Sequence, residues 1–229
     1  MLRIIKTEGY KDSDLFAKAI TRRFKEEGLE NALEIIDVSQ SMTSDEYCEL
    51  CDIYDVVLPL YPLPKDVSIS RLRHTIRSNI DCVGCELKWM PITPSAILKK
   101  IKDSNAIDDI RDMRITILNR TERIGLPLAV ELSRLGATVT ICNSRTNDKD
   151  LEQLVKNSNI IITAMGNPNV IDYKHINKGQ IWIDCSGDVS KQCLIDEIND
   201  GMGVYYGMRD VGNWTLDELM SRYYMEMGY

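Results

Sequence analysis

Histidine is scarce in this sequence, and several other features are missing. Only two histidines occur in 229 residues, His74 and His175, which excludes sites built from several imidazoles, such as a three-histidine zinc centre. Acidic residues outnumber basic ones, 35 to 28, and the net charge of −7 argues against a nucleic-acid-binding protein, which needs a cationic face. No apolar run reaches the length of about 18 residues that a membrane helix requires. The segment from Met1 to Tyr10 also lacks the apolar core of a signal peptide. We therefore expect a cytoplasmic protein without nucleic-acid or membrane partners.

The seven cysteines are an odd number, which fits a reducing compartment better than a disulfide framework. Cys48 and Cys51 form one C-x-x-C pair and Cys82 and Cys85 another, the spacing of a four-thiolate zinc or iron–sulfur site. However, the first pair lies on the apolar face of a predicted helix, where a buried thiol is a small core residue. A strand length of about 15 Å is expected between the pairs, too far for Zn–S bonds of about 2.3 Å. We therefore predict that these four cysteines are packed core residues and bind no metal, and a four-thiolate metal site stays open as the alternative.

Short apolar runs alternate with helical patterns along the chain, which indicates a doubly wound α/β fold with parallel sheets. The predicted strands are 2–5, 33–36, 55–60, 115–118, 138–142, 160–164, 181–184 and 204–206. The predicted helices are one capped by Asp12 or Ser13 and ending at Gly28, then 44–52, 68–78, one with Pro94 in its first turn ending at 102, 124–135, 149–156, one around Asp196, and 215–225. A polar segment at 103–112 suggests two domains.

A nucleotide signal follows the predicted strand 115–118. Gly125 and Pro127 stand where a helix begins, and a glycine there would let a pyrophosphate approach main-chain N–H groups. The next strand is followed by Ser144 and Arg145 instead of the acidic residue that holds a ribose 2′-hydroxyl in NAD enzymes, and Arg120 is available from the preceding loop. Guanidinium groups suit a 2′-phosphate, which favours NADP over NAD. The alternative is an ordinary βαβ unit with solvated arginines.

These segments resemble the methylenetetrahydrofolate dehydrogenase/cyclohydrolase family. Residues 119–129 read N-R-T-x-x-I-G-x-P-x-A against the family's G-R-S-x-x-V-G-x-P-x-A, and residues 137–146 read A-T-V-T-I-C-N-S-R-T against A-T-V-T-x-C-H-S-x-T. Further matches follow the family's order: Y-P-L-P-K at 61–65, P-I-T-P at 91–94, A-M-G-N-P at 164–168, G-D-V at 187–189 and V-G-N-W-T at 211–215. The last corresponds to V-G-P-M-T, which lies beside the nicotinamide and begins the last helix of the family.

The resemblance implies an α/β fold of two domains. A catalytic-type domain would cover 1–103, joined by the C-terminal helix 215–229, and a Rossmann-like dinucleotide-binding domain with a parallel sheet would cover 104–214. It implies NADP as the cofactor, a folate as the small-molecule substrate and a homodimer. The cofactor-binding residues it suggests, together with those inferred above, are Asn119, Arg120, Thr121, Ile124, Gly125, Asn143, Ser144, Arg145, Ala164, Met165, Gly166, Cys185 and Thr215.

The first domain departs from the family where the chemistry takes place. Phe16 and Ile20 stand at the positions of the family's tyrosine and acid/base lysine, Leu60 replaces its glutamine, and Val83 replaces the aspartate that holds the pterin. Lys18 is two positions from the site of the family's lysine. An offset of two residues on a helix rotates a side chain by about 200°, so we expect Lys18 to face away from the position of that lysine. Apolar side chains cannot transfer a proton. We expect cyclohydrolase activity to be lost and can assign no catalytic residue.

Two functions stay open at this point. One is an NADP-dependent oxidoreductase of one-carbon metabolism, resembling methylenetetrahydrofolate dehydrogenase. The other is a non-catalytic dinucleotide-binding paralogue that acts through a partner or on a different substrate. A lysine or carboxylate that reaches into the first-domain cleft from another position would favour the enzyme, whereas a cleft lined only by apolar residues would favour the paralogue.

Overall fold

A computed structural model describes most of the chain. The described residues are 1–69, 72, 79–81, 90–104, 107, 109–168, 170–193 and 203–228. Contacts divide the chain into two units, Met1–Ile92 with Leu216–Tyr229, and Thr93–Thr215. We call the first of these unit 1 and the second unit 2. The sequence predicted domain boundaries at 103/104 and 214/215, whereas the first observed division follows Ile92. The helix 92–102 therefore lies almost wholly in unit 2.

Unit 1 is built on a three-stranded parallel sheet. Its elements are β1 Leu2–Thr7, α1 Lys11–Glu26, β2 Leu33–Val38, α2 Ser44–Asp52 and β3 Val57–Pro59. The strand order is β2-β1-β3, with Leu2 opposite Leu33 and Arg3 opposite Val57. The predicted helix 44–52 agrees with α2, and each predicted strand overlaps an observed one.

The helix ends of unit 1 follow their sequence signals only in part. Gly28 follows α1 with a φ of +70°, a left-handed conformation that glycine adopts without strain, as predicted. The predicted N-cap is wrong, because Tyr10 takes that position and Asp12 and Ser13 lie inside the first turn. Ser13 Oγ donates to the Tyr10 carbonyl oxygen at 2.9 Å, so its hydroxyl forms a hydrogen bond within the first turn of the helix.

Both faces of this sheet are covered by apolar side chains. On one face a cluster joins Ile4 of β1 to Ile20 and Phe24 of α1 and to Leu219 and Tyr223 near the C-terminus. The rings of Phe24 and Tyr223 meet edge to face with centroids 5.0 Å apart. On the other face a second cluster covers the sheet with α2. The C-terminal residues are therefore part of the core of unit 1.

Unit 2 is a five-stranded parallel sheet with helices between its strands. Its elements are α3 Ile92–Lys102, β4 Arg114–Leu118, α4 Gly125–Arg134, β5 Thr138–Cys142, α5 Asp148–Lys156, β6 Ile160–Thr163, β7 Ile181–Asp184 and β8 Val204–Tyr206. The last helix, α6 Met208–Met227, begins in unit 2 and continues into unit 1. The strand order is β5-β4-β6-β7-β8. Every residue of β6 and β7 is buried, as expected for strands covered on both faces. The predicted parallel α/β fold is confirmed.

The last helix begins seven residues earlier than predicted, at Met208 instead of residue 215. The family motif has a proline where this chain has Asn213, and a proline restricts the residue before it and removes a helical N–H. Without that block the helix extends toward the N-terminus, where the Gly207 N–H donates to Asp210 Oδ2 at 3.0 Å. The segment 211–215 therefore lies inside α6.

Some predictions fall outside the described residues. These are the helix around Asp196, most of the helix 68–78, and the positions of His74, Val83, Cys82 and Cys85. Within the part of the chain that is described, no helix combines the length and the apolar composition needed to cross a membrane.

Candidate functional site

The strand order of unit 2 creates a switch point at β4. The chain passes from β4 outward to β5 and then crosses back to β6 on the opposite side of β4. In open parallel sheets, ligands bind outside the carboxyl ends of the strands at such a point. The predicted site residues follow four neighbouring strand ends, 119–125 after β4, 143–145 after β5, 164–166 after β6 and Cys185 after β7. The structure thus brings all of them to one edge of the sheet except Thr215, which lies in α6 and donates to the Val211 carbonyl oxygen at 2.7 Å.

Asn119 organises the turn between β4 and α4. Its Oδ1 accepts the Thr121 N–H at 2.8 Å, the Thr121 hydroxyl at 2.7 Å and the Gly125 N–H at 3.1 Å. Its Nδ2 donates to the Ala164 carbonyl oxygen at 2.6 Å. One side chain therefore shapes the first loop of the site and ties it to the loop after β6.

Gly125 allows the start of α4 to pack against the end of β4. The first-turn donors have acceptors within the loop, since the Gly125 N–H donates to Asn119 and the Leu126 N–H donates to the Thr121 carbonyl oxygen at 3.0 Å. Pro127, at the third position, has no N–H. Because these donors are engaged, phosphate groups at this edge would depend on side chains, and the role of Gly125 toward a pyrophosphate stays a prediction.

Two guanidinium groups supply cations at this edge. Arg120 follows β4 and Arg145 follows β5, both side chains are exposed, and neither has an ion-pair partner among the described residues. Asn143 Oδ1 accepts the Arg145 N–H at 2.9 Å and fixes the turn that presents Ser144. No acidic residue occurs at 143–146. This donor set fits a phosphate on a ribose and offers no carboxylate for a ribose hydroxyl.

Asp184 is a buried carboxylate that the sequence reasoning missed. It ends β7 with no exposed surface. Its Oδ1 accepts the Gly187 N–H at 2.8 Å and the Asp188 N–H at 3.0 Å, and its Oδ2 accepts the Tyr205 hydroxyl of β8 at 3.0 Å. Asp184 therefore folds the loop after β7 and links it to the next strand.

Asp188, also fully buried and also missed, links the loop after β7 to the loop after β6. Its oxygens accept the Thr163 hydroxyl at 2.5 Å, the Met165 and Asn167 N–H groups at 2.8 Å each, and the Ser186 hydroxyl at 2.7 Å. The matched motif 187–189 contains this residue, and an acidic residue soon after a continuous apolar strand was the signal that could have identified it.

Cys185 lies between these two acidic residues in the sequence and is partly exposed. Burial first, and then the charges of Asp184 and Asp188, raise the pKa of its thiol. The thiol therefore stays protonated at neutral pH and is a poor nucleophile. Its place among the cofactor-binding residues stays a prediction.

The family model described as tetrahydrofolate dehydrogenase/cyclohydrolase, NAD(P)-binding domain, matches residues 91–200. This match and the relatives below support a similarity of the chain to the methylenetetrahydrofolate dehydrogenase/cyclohydrolase family. A bifunctional protein FolD of Clostridium beijerinckii is 32% identical over 166 residues, which are 64% of this chain and 57% of the relative. The match thus spans little more than half of that relative's length. The expectation of a nicotinamide dinucleotide site in this part of the chain is confirmed by the domain match.

Solved structures of this family share the fold. The crystal structure of the bifunctional FolD enzyme of Campylobacter jejuni has a TM-score of 0.80 at 22% identity, over 98% of this chain and 86% of that chain. The FolD of Trypanosoma brucei, complexed with NADP cofactor and inhibitor, has a TM-score of 0.77 at 20% identity, over 100% of this chain and 88% of that chain. Both likenesses extend over unit 1 as well as unit 2.

The positions of the family's tyrosine, lysine and glutamine are apolar and packed in unit 1. Ile20 has no exposed surface, Leu60 is 4% exposed, and both belong to the cluster that covers one face of the sheet, with Phe16 packed against it. Lys18 is exposed, as predicted from its turn on the helix. No ionisable side chain at these family positions is available for proton transfer among the described residues.

A buried cation does occur in unit 1, on α6. Arg222 is 2% exposed and pairs with Glu218 through Nε at 3.0 Å. Its other nitrogens donate to the carbonyl oxygens of Ile80 at 3.2 Å and Met90 at 2.6 Å. Arg222 thus holds the two ends of a segment together, a structural use of the charge that no sequence pattern indicated.

The first C-x-x-C pair is packed in the core of unit 1. Cys48 is 6% and Cys51 0% exposed within the cluster beneath α2, which confirms the predicted packing role for these two residues. Burial raises the pKa of Cys51 to about 12, with the neighbouring Cys48 adding to the effect. Among the described residues, no group of His, Cys, Asp or Glu is arranged to hold a metal ion.

Proposed function

We propose that this chain binds NADP at the carboxyl edge of the unit 2 sheet. The observation that carries the proposal is the pair of exposed guanidinium groups, Arg120 and Arg145, that follow neighbouring strands without ion-pair partners among the described residues, with the Ser144 hydroxyl beside Arg145 in the same turn. Arginine can bind a phosphate through two parallel charge-assisted bonds. A 2′-phosphate distinguishes NADP from NAD, so this set selects NADP. The NADP complex of the Trypanosoma brucei relative supports the same choice.

We further propose that the protein is an oxidoreductase of folate one-carbon metabolism, of the methylenetetrahydrofolate dehydrogenase type. A bound nicotinamide would supply the hydride acceptor. The protein's task is then to hold substrate and cofactor face to face, a positioning role that requires no acid or base from the chain. The names of the bifunctional FolD relatives support a folate substrate.

Cyclohydrolase activity is absent in this proposal. Hydrolysis of a methenyl product needs a group that moves a proton to or from water, and Ile20 and Leu60 have none. Both side chains are sealed in an apolar cluster, so a water molecule bound to them would lack polar partners. The buried Arg222 does not replace a lysine as acid or base, because a guanidinium keeps its protons in proteins.

The same cluster favours a second function, a non-catalytic dinucleotide-binding paralogue that acts through a partner or on another substrate. In that case the cofactor site of unit 2 would work as a sensor, and the apolar interior of unit 1 would only stabilise the fold. The two functions predict the same cofactor binding and differ in turnover.

We also propose that the protein is a cytoplasmic homodimer without nucleic-acid or membrane partners. The free cysteines among the described residues fit a reducing compartment, and the net charge of −7 disfavours contact with phosphate backbones. Sedimentation of the purified chain would test the dimer, and a single species with the mass of one chain would contradict it.

Turnover separates the two functions. Purified full chain would be mixed with NADP and methylenetetrahydrofolate, and the reduced cofactor followed by its absorbance, with a bifunctional FolD enzyme as positive control. A second assay would follow hydrolysis of the methenyl product. We expect reduced cofactor and no hydrolysis. Saturable NADPH binding without any reduction would support the paralogue, and hydrolysis above the uncatalysed rate would contradict the loss of cyclohydrolase activity.

A further inference from the structure

We propose that Asp188 is a positioning residue for the nicotinamide half of the dinucleotide. It fixes the main chain of residues 165–167, called here the β6 loop, without itself contacting the cofactor. This inference rests on the proposed NADP site and assigns a separate residue to its second half.

Three successive N–H groups of the β6 loop are held by the loop after β7. The Met165 N–H donates to Asp188 Oδ2 at 2.8 Å, the Gly166 N–H to Ser186 Oγ at 3.0 Å, and the Asn167 N–H to Asp188 Oδ1 at 2.8 Å. The Ser186 hydroxyl in turn donates to Asp188 Oδ2 at 2.7 Å. The conformation of the β6 loop therefore depends on one carboxylate and the hydroxyl bound to it.

The carboxylate is itself held in place. Thr163, the last residue of β6, donates its hydroxyl to Asp188 Oδ2, and the Asp188 N–H donates to Asp184 Oδ1 at 3.0 Å. Asp184 also accepts the hydroxyl of Tyr205 on β8. Asp188 has no exposed surface, and no lysine or arginine forms an ion pair with it in the described part of the chain. Both of its oxygens accept hydrogen bonds from the groups that it orders, which makes both oxygens necessary.

The strand order assigns this loop to the nicotinamide half. The cations proposed for the 2′-phosphate follow β4 and β5, and the β6 loop lies on the opposite side of β4. In parallel sheets of this kind the adenosine ribose meets the end of the second strand, here β5, and the pyrophosphate crosses the switch point. The rest of the dinucleotide then extends toward β6 and β7. Asp188 consequently acts on one half of the ligand, and the arginines act on the other.

Asp188→Asn tests this assignment, because the carboxamide replaces one acceptor oxygen with an NH2 donor. Oδ2 accepts three hydrogen bonds in the wild type and Oδ1 accepts the Asn167 N–H. If the amide oxygen takes the place of Oδ2, the NH2 group takes the place of Oδ1 and faces the Asn167 N–H, so that hydrogen bond is lost because both groups are donors. The change conserves shape and removes the fixed position of the β6 loop. Asp112→Asn, at an exposed carboxylate of the same unit, is the matched control for loss of one negative charge.

Two ligands separate positioning from a general loss of structure. NADPH spans both halves of the site, whereas adenosine 2′,5′-bisphosphate carries only the adenosine half with its phosphates. We expect Asp188→Asn to weaken NADPH binding about tenfold or more and to change binding of the bisphosphate by no more than about twofold, the size of effect expected when a hydrogen bond to a charged group is lost. Asp112→Asn should change neither.

Normal NADPH binding by Asp188→Asn, or equal weakening of both ligands, would overturn the positioning role. If Asp188→Asn does not fold, Ser186→Ala decides the question, since it removes the acceptor of the Gly166 N–H and leaves both carboxylates. It should weaken NADPH about threefold with the bisphosphate unchanged, and an unaltered ratio of the two affinities would overturn the proposal. A wild-type chain that binds neither ligand would instead overturn the proposed NADP site.

Discussion

The carbonyl oxygen of Asn119 lies 1.9 Å from the point that a Cβ on Gly125 would occupy. Real Cβ atoms do not come this close to a main-chain oxygen, so the turn from β4 into α4 needs glycine for its own packing, whatever the ligand. The same Asn119 then accepts the Gly125 N–H through its side chain. The glycine of the family motif is thus explained in this chain by contact between two parts of the main chain.

Gly125→Ala should therefore destabilise unit 2. Because the obstacle is main chain and cannot rotate away, we expect the free energy of unfolding to fall by about 1–3 kcal/mol. Gly212→Ala is the matched control, since a Cβ there meets nothing within 4 Å inside α6. That change should raise the free energy of unfolding by about 0.5–1 kcal/mol through helix propensity. Urea denaturation followed by circular dichroism measures both, and similar midpoints for the two variants would contradict the contact.

Arg145→Gln should reduce the preference for NADPH. The exposed guanidinium is proposed to bind the 2′-phosphate, and loss of a charge-assisted bond should weaken NADPH about 10- to 100-fold while leaving NADH unchanged. Arg134→Gln removes another exposed cation of unit 2, one that pairs with Glu131, and should alter neither affinity. Fluorescence titration with both nucleotides is the measurement. A parallel loss for NADPH and NADH would show that Arg145 does not recognise the 2′-phosphate.

Arg222→Met should destabilise unit 1 strongly. It removes the donor that Arg222 provides to the Glu218 carboxylate and to the carbonyl oxygens of Ile80 and Met90. Breaking a buried pair by removing one partner costs about 3–5 kcal/mol. Arg22→Met is the control, because Arg22 forms a comparable pair with Glu26 in which the side chains are 71% and 58% exposed. An exposed pair contributes about 0–1 kcal/mol, so equal losses in urea denaturation would argue against burial of Arg222.

Alkaline pH should destabilise the wild type through Cys51. Burial raises the pKa of this thiol from 9.0 to about 12, so the folded chain holds the proton more tightly than the unfolded chain. The stabilisation is therefore complete below pH 9 and is lost as the pH rises toward about 12. Cys51→Ala should be less stable at neutral pH because of the space it leaves, and should lose less stability between pH 9 and 12. Part of the loss will persist, since burial also raises the pKa of Tyr47.

Urea midpoints across this pH range, for the wild type and the variant, provide the test. Identical slopes of stability against pH for the two proteins would mean that Cys51 titrates normally in the folded state.

Much of the fold could be predicted because its signals are local. The strands 138–142, 181–184 and 204–206 agree with β5, β7 and β8. β7 is buried throughout and reads as a short apolar run. β5 and β8 are the edge strands and are partly exposed, and their β-branched and aromatic residues favour a strand. The start of α6 could not be predicted from the motif it shares with the family, because one substitution, Asn213, removes the barrier that a proline would set. The first domain boundary also depended on contacts that no local pattern contains.

The sequence predicted which loops form the candidate site, but it did not predict the buried side chains that hold those loops in place. Glycines and arginines after strands mark a ligand edge, and the structure places them there. Asp184 and Asp188 were missed because their role depends on acceptor geometry between neighbouring loops, which spacing along the chain does not reveal. Arg222 was missed for the same reason, since its partners at Ile80 and Met90 are distant in sequence.

The central claim, an NADP site on unit 2, is tested most directly by titrating the purified wild-type chain with NADPH and with NADH while following the fluorescence of the reduced nicotinamide. We predict saturable binding of NADPH and binding of NADH weaker by about tenfold or more, the difference expected for charge-assisted bonds to one phosphate. Equal affinity for the two would contradict the role of Arg120, Ser144 and Arg145, and no saturable binding of either would contradict the cofactor site itself.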